Sequence, residues 1–129
     1  MEDDKKRHRG GPALRFGYVL RGPAHTSSAT WRPLADVYKC DEGWIVKLEL
    51  AGVLPEDIQI FANSRKLTVS GVRRDTVTEQ GSSHYLMEIS YNRFERTIEL
   101  PVDFEAKHLF VDYRNGILLV RVNINIGSQ

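Results

Sequence analysis

The sequence predicts an all-β domain, a sandwich or a barrel, preceded by an arm without regular structure. Three observations carry this reading. From residue 34 to residue 122, apolar and polar residues alternate in short segments with a period of two, the pattern of strands that turn one face to a core. Turn-forming residues separate these segments every several positions, which gives seven to nine short strands and implies a closed or two-layered β architecture. Only Pro55-Glu56-Asp57 and Glu105-Ala106-Lys107 suggest helix, each of about one turn.

Taken in order, residues 1–33 form the arm. Gly10, Gly11, Gly17, Gly22, Pro12, Pro23, Pro33 and the polar run Thr26-Ser27-Ser28 punctuate it and break any regular structure. It carries one apolar cluster, Leu14, Phe16, Tyr18, Val19 and Leu20, which either packs back onto the domain or another copy, or presents a sticky surface to other chains. The body follows over residues 34–122. Trp44, Val46, Leu48 and Leu50 share one phase, opposite Ile45, Lys47 and Glu49. The turn Ala51 to Asp57 ends that strand, and Ile58 and Ile60 resume the pattern. Asn63-Ser64-Arg65 turns into Leu67 and Val69, so these segments read as a run of consecutive antiparallel strands. A polar stretch from Arg73 to Ser83 is too long for a tight hairpin. Tyr85 to Glu88, Phe94 to Leu100, Leu109 to Tyr113 and Ile117 to Val122 read as four further strands, the last two joined by Arg114-Asn115-Gly116. Residues 123–129 form a short extension.

At 129 residues and 14.7 kDa, with 41% hydrophobic residues, the chain is one domain able to bury roughly two thirds of its unfolded surface. A dozen inward Val, Leu, Ile or Phe positions, each contributing about 1.5 to 3 kcal/mol, suffice without metal or disulfide. A single cysteine, Cys40, excludes an intramolecular bridge and fits a reducing compartment. No apolar run approaches a membrane span, and the basic start Lys5, Lys6, Arg7, Arg9 leads into Gly10-Gly11-Pro12 rather than a signal peptide's apolar stretch. A soluble, cytoplasmic protein is expected. The net charge is +1, so no polyanionic partner is indicated overall. The arm is basic and the body mildly acidic, a distribution that a solvated tail explains as well as nucleic acid or lipid would.

Reactive constellations are absent from the sequence. His8, His25, His84 and His108 are dispersed, without metal-ligand spacing, and no nucleophile elbow, Walker loop or dinucleotide fingerprint occurs. Neither an enzyme nor a cofactor or small-molecule site is expected. In Tyr91-Asn92-Arg93-Phe94-Glu95-Arg96 the aromatics interleave with basic residues, but Phe94, Ile98 and Leu100 share an inward phase while Arg93, Glu95 and Glu99 face solvent, which is core rather than a nucleic-acid platform. Arg96 falls on the inward phase. Either it snorkels at an edge or, as expected here, it reaches a carboxylate, with a subunit interface as one place for it.

In sequence order these segments resemble the small heat shock proteins, specifically their α-crystallin domain. Trp31-Arg32-Pro33-Leu34-Ala35-Asp36-Val37-Tyr38 is similar to the family's opening strand. Leu50-Ala51-Gly52-Val53 with Glu56-Asp57-Ile58 is similar to its Leu-Pro-Gly-Val and acidic turns, and Leu67 to Arg73 to the strand before its long loop. Phe94-Glu95-Arg96 through Leu100-Pro101 matches its Phe-x-Arg to Leu-Pro block, and Tyr113-Arg114-Asn115-Gly116-Ile117-Leu118 its Asn-Gly-Val-Leu turn. Asn and Gly both tolerate positive φ, so the pair can reverse the chain. Asn92 stands where the family has Gly and is the next most tolerant residue; Val111 and Ala51 replace its usual Ala and Pro.

The resemblance implies an immunoglobulin-like antiparallel β-sandwich and an ATP-independent holdase for partly unfolded client proteins. It implies a homodimer in which the strand Ser83, His84, Tyr85, Leu86 pairs with Asp36, Val37, Tyr38 of the partner, with Arg96 at the interface. It also implies a groove lined by Ile58, Ile60, Phe61, Leu109 and Val111 that takes an Ile-x-Ile motif in larger oligomers. Ile124 and Ile126 fit that motif, or else continue the last strand's phase. Clients would be held by Leu14, Phe16, Tyr18, Val19 and Leu20 together with the groove. A co-chaperone of the CS-domain type and a structural coat protein are the alternatives on the same sandwich.

Overall fold

The computed structural model describes residues 14–15, 19–22, 29–77 and 79–125. These form nine strands: β1 (Leu14–Arg15), β2 (Leu20–Arg21), β3 (Ala35–Cys40), β4 (Gly43–Glu49), β5 (Ile58–Asn63), β6 (Lys66–Arg73), β7 (Asn92–Glu99), β8 (Leu109–Arg114) and β9 (Ile117–Asn123). They build two sheets, one in the order β1-β8-β9-β4-β3 and the other in the order β2-β5-β6-β7. All pairings are antiparallel except β2 on β5, which is parallel. The two expected helical turns are 3-10 turns at Pro55–Asp57 and Ala106–His108.

The core lies between the sheets and follows the period-two phases. Val46, Leu48 and Leu50 from the β4 segment, Ile58 and Ile60 from β5, Leu67 and Val69 from β6, Phe94 from β7, and Leu118, Val120 and Val122 from β9 are all buried in one cluster. Tight turns set the registers. Asn115 and Gly116 take φ of 55° and 78°, the paired positive values that a two-residue hairpin between right-twisted strands demands. Asn92 sits at φ 77°, as its place in the family pattern implied. Gly71 is required by space: a Cβ there would strike the Asp57 carbonyl and come within 2.8 Å of the Phe94 ring.

The arm, expected to lack regular structure, contributes the two-residue strands β1 and β2, and in the body the strand pattern departs from expectation at three points. The chain does not run on as consecutive paired strands from Glu49 to Ile58; it crosses from one sheet to the other. Val53 is buried in the crossing, and the Tyr113 hydroxyl, 2.6 Å and 2.7 Å from the Leu50 and Val53 carbonyls, donates its proton into that pair. Period two reports burial but not which sheet a strand joins. Second, the strand expected at Tyr85 to Glu88 is absent, because no neighbouring backbone is there to pair with it. Third, the outward phase is not everywhere solvated. Phe61 and Thr68 are buried on it, and Thr68 and Thr97 share a hydroxyl hydrogen bond of 2.8 Å.

Candidate interaction surfaces

The candidate interaction surfaces of this chain are its sheet edges and one long loop. β3 pairs with β4 on one side only among the described residues, so the backbone donors and acceptors of its alternate residues face outward. Leu34, Val37 and Tyr38 are exposed along it. Its outer face is held by Lys47, whose ammonium lies 3.2 Å from the Tyr38 hydroxyl and donates to it, an interaction that raises the Lys47 pKa. Cys40, half-buried, ends the strand as a free thiol.

The loop from Arg74 to Tyr91 leaves β6 and returns to β7. Its tip carries Tyr85, Leu86, Met87 and Ile89, all exposed, and it curls around a hollow of about 490 Å³ lined partly by Val77, His84 and Tyr85. Its ends are fastened. Arg73, only 9% exposed, donates from Nε to the Ala51 carbonyl at 3.0 Å and from Nη1 to the Ser90 carbonyl at 2.9 Å. Its guanidinium lies 4.3 Å from the Trp31 ring centroid, and Glu49 stands 4.0 Å away. Arg74 grips Asp57 with two hydrogen bonds of 2.8 Å and 3.0 Å, which hold the Asp57 carboxyl below the usual carboxylate range. At the tip His84 lies 3.8 Å from Asp75.

The predicted dimer residues Ser83, His84, Tyr85 and Leu86 therefore stand exposed on the loop, and Asp36, Val37 and Tyr38 stand exposed on β3. Arg96 does not meet a carboxylate within the described chain. Its Nη1 donates to the Pro33 carbonyl at 2.8 Å, while its Nε and the neighbouring Glu95 Oε1 are buried with no hydrogen-bond partner. Within the chain its acceptor is Pro33, where the chain leads into β3.

The groove residues Ile58, Ile60, Phe61 and Leu109 are buried and Val111 is half-buried. Both strands that carry them are covered at the edge by the arm: β1 pairs with β8 through Leu14↔Tyr113 and Arg15↔Asp112, and β2 pairs with β5 through Leu20↔Phe61 and Arg21↔Ala62. Of the arm cluster, Val19 packs against the core and Leu20 is half-buried; Leu14 is placed by its backbone, and Phe16 and Tyr18 lie outside the described residues. At the other end, β9 stops at Asn123, so Ile124 does not continue the strand. It packs against the chain's own core, its amide donating 2.8 Å to the Glu42 carbonyl, with Asn125 bound to Glu42 and Asp41. Ile126 lies outside the described residues.

The sequence reading missed Arg73, which it took for the start of a polar loop, and the apolar pair Met87 and Ile89. The alternation of Met87 and Ile89 with Glu88 and Ser90 was the available signal for the latter. Among the described residues no group of three or more His, Cys, Asp or Glu is placed to hold a metal ion, and no helix is long and apolar enough to cross a membrane.

Comparison with known proteins places this sandwich. The chain is 24% identical over 100 residues to small heat shock protein C4 of Rickettsia felis, covering 78% of this chain and 61% of that protein. It is 33% identical over 91 residues to heat shock protein 16 of Schizosaccharomyces pombe, covering 68% and 63%. The chain thus spans about three fifths of the length of these relatives. The solved structure of heat shock protein 16.0 from Schizosaccharomyces pombe superposes with a TM-score of 0.67 at 30% identity, over 78% of this chain and 93% of that one. A small heat shock protein from Xylella fastidiosa, whose structure is described as revealing a distinct high order structure, shares the fold with a TM-score of 0.66 at 22% identity, over 78% and 93%. Residues 36–128 match the model of the Hsp20/alpha crystallin family, and this chain belongs to that family, the small heat shock proteins.

Proposed function

We propose that this chain is an ATP-independent, non-enzymatic holdase that binds partly unfolded proteins and prevents their aggregation, acting in the cytoplasm. The observation that carries the reading is the set of apolar side chains Tyr85, Leu86, Met87 and Ile89 held in solvent, in a chain of a chaperone family. Contacts through apolar surface are non-directional, which suits capture of many different sequences. The exposed loop residues would supply such contacts, together with the arm cluster and the groove.

The same features support a strand-exchanged homodimer. An open β3 edge and an unpaired loop segment are the two halves of one ladder, and strand addition supplies backbone hydrogen bonds that neither half makes alone. Ser83, His84, Tyr85 and Leu86 would add to the partner's edge at Asp36, Val37 and Tyr38. The buried, unpartnered Arg96 Nε and Glu95 Oε1 would then find acceptor and donor across the interface, because leaving them unmet is costly. Ile124 and Ile126 would engage a neighbour only after Ile124 leaves the Glu42 turn.

The test is heat-induced light scattering of a model client, with and without this protein, in buffer free of ATP. Suppression at equimolar subunit is expected. No suppression would favour a co-chaperone or coat role.

A further inference from the structure

We infer that the outer face of the sheet at β8, β9 and β4 is a weak self-association surface, on which a second copy of this chain packs face to face about a two-fold axis running along β9. This goes beyond the holdase reading and uses neither the β3 edge nor the long loop.

Three neighbouring strands supply the face. Leu118 and Val120 on β9, Val46 and Leu48 on β4, and Tyr113 on β8 are buried, so the residues that alternate with them point away from the core. The registers set these outward residues in three rows across the sheet: Phe110, Arg121 and Ile45; Asp112, Leu119 and Lys47; Arg114, Ile117 and Glu49. Phe110 is 53% exposed. Ile45, Leu119 and Ile117 are half-buried, and none of the four belongs to the core cluster. An apolar patch rimmed by charge on the outside of a sandwich marks a contact surface.

Charge selects the occupant. Across β9 the rows are antisymmetric: the acid Asp112 on β8 stands against the base Lys47 on β4, and the base Arg114 on β8 against the acid Glu49 on β4. Rotation by half a turn about β9 keeps the rows in line and lays β8 of one copy over β4 of the other, the self-complementary arrangement of a two-fold contact. Asp112 then meets Lys47, Arg114 meets Glu49 and Phe110 meets Ile45, each twice, around Leu119 and Ile117 at the centre. The alternative axis, across the strands through Leu119, sets Asp112 on Asp112 and Lys47 on Lys47, and like charges in contact oppose association.

The same features keep the contact weak. Asp112 and Arg114 already have partners within the chain, Glu49 lies 4.0 Å from Arg73, and Lys47 gives one of its donors to the Tyr38 hydroxyl. Arg121 falls on the axis, where it faces its own copy. Three strands by five residues cover about 14 Å by 17 Å, well below the roughly 800 Å² per partner of a stable interface. Association is therefore expected on the order of tens of micromolar protein and above.

Sedimentation velocity of the full chain at low salt, from about 5 to 500 µM, reads the association step. Lys47→Glu and Asp112→Lys each set like charges across the contact and should each weaken that step about ten-fold. Mixed in equal amounts, the two variants meet with opposite charges at both sites, so the mixture should recover the association of the unaltered chain, as should the double variant. Glu49→Lys with Arg114→Glu is a second pair with the same expected pattern, for the case in which one of the first pair does not fold. Arg121→Gln should strengthen association. No concentration dependence in the unaltered chain, no recovery on mixing, or weaker association of Arg121→Gln would overturn the inference. So would single variants that associate as well as the unaltered chain and a mixture that exceeds it, the pattern of the axis across the strands.

Discussion

Replacing Arg73 with alanine removes the fastening at the base of the long loop, and the structure sets the size of the effect. Two hydrogen bonds from a charged donor to backbone carbonyls are lost, at 3.0 Å to Ala51 and 2.9 Å to Ser90, each worth about 1.5 to 3 kcal/mol. The guanidinium over Trp31 at 4.3 Å adds about 1 kcal/mol. The ion pair with Glu49, at 4.0 Å and with a half-exposed carboxylate, adds under about 0.5 kcal/mol. These contacts share one side chain and are not additive, and deleting the charge also relieves its desolvation. The expected net loss is about 3 kcal/mol, or a melting temperature lower by about 10 °C for a domain of this size. Urea and thermal unfolding at fixed protomer concentration measure it, since self-association would make stability concentration-dependent. Arg73→Lys keeps the charge but not the planar fork that meets two carbonyls at once, so it should recover less than half of the loss. A melting shift under about 3 °C for the alanine variant, or full recovery by lysine, would refute the assignment of Arg73 as the clamp between loop and body.

Two further outcomes are expected. Deleting residues 77–88 should convert the proposed dimer to a monomer in native mass spectrometry, and an unchanged dimer mass would sink the strand exchange. Tyr113→Phe should cost about 1 to 2 kcal/mol, because the Leu50 and Val53 carbonyls lose their donor. Burial raises the Tyr113 pKa, so its contribution is complete below the unfolded value of about 10 and is lost as pH rises through the folded value. The stability gap between the two proteins should therefore be flat up to about pH 10 and shrink above it, and denaturant midpoints that keep a constant gap through that range would contradict the buried hydroxyl.

Much of the sandwich was legible because its determinants are local. The inward phases of β4, β5, β6, β7 and β9 appear in the sequence as alternation, and Asn92 and Asn115-Gly116 mark positive φ through residue types that tolerate it. What escaped depends on partners distant in sequence or absent from the chain. The sheet crossing between Glu49 and Ile58 leaves no mark in a pattern that records only burial. Strands β1 and β2 are two residues each, too short to display a period at all. Tyr85 to Glu88 has the composition of a strand but no neighbour in its own molecule. Arg73 was illegible for another reason: a buried arginine is identified by the carbonyls around it, and Ala51 and Ser90 come from separate loops. Of the candidate surfaces, the loop and β3 were visible as segments, whereas the arm's place over the groove was not.

The cover over the first half of β7 bears on how far association can proceed. Before reaching β3 the chain lays Thr30 and Trp31 along β7, donating to the Arg93 carbonyl and accepting from the Glu95 amide. The margins at β1 and β2 are two residues long, whereas β3 is a six-residue strand with no neighbour on its outer side among the described residues, so its alternate residues present unpaired backbone there. Fibrous growth by sheet extension needs two adhesive sides per subunit, so that each addition regenerates a site. In the reciprocal exchange proposed above each copy's loop strand would fill the other copy's edge, so both adhesive elements are used up and the pair closes instead of extending.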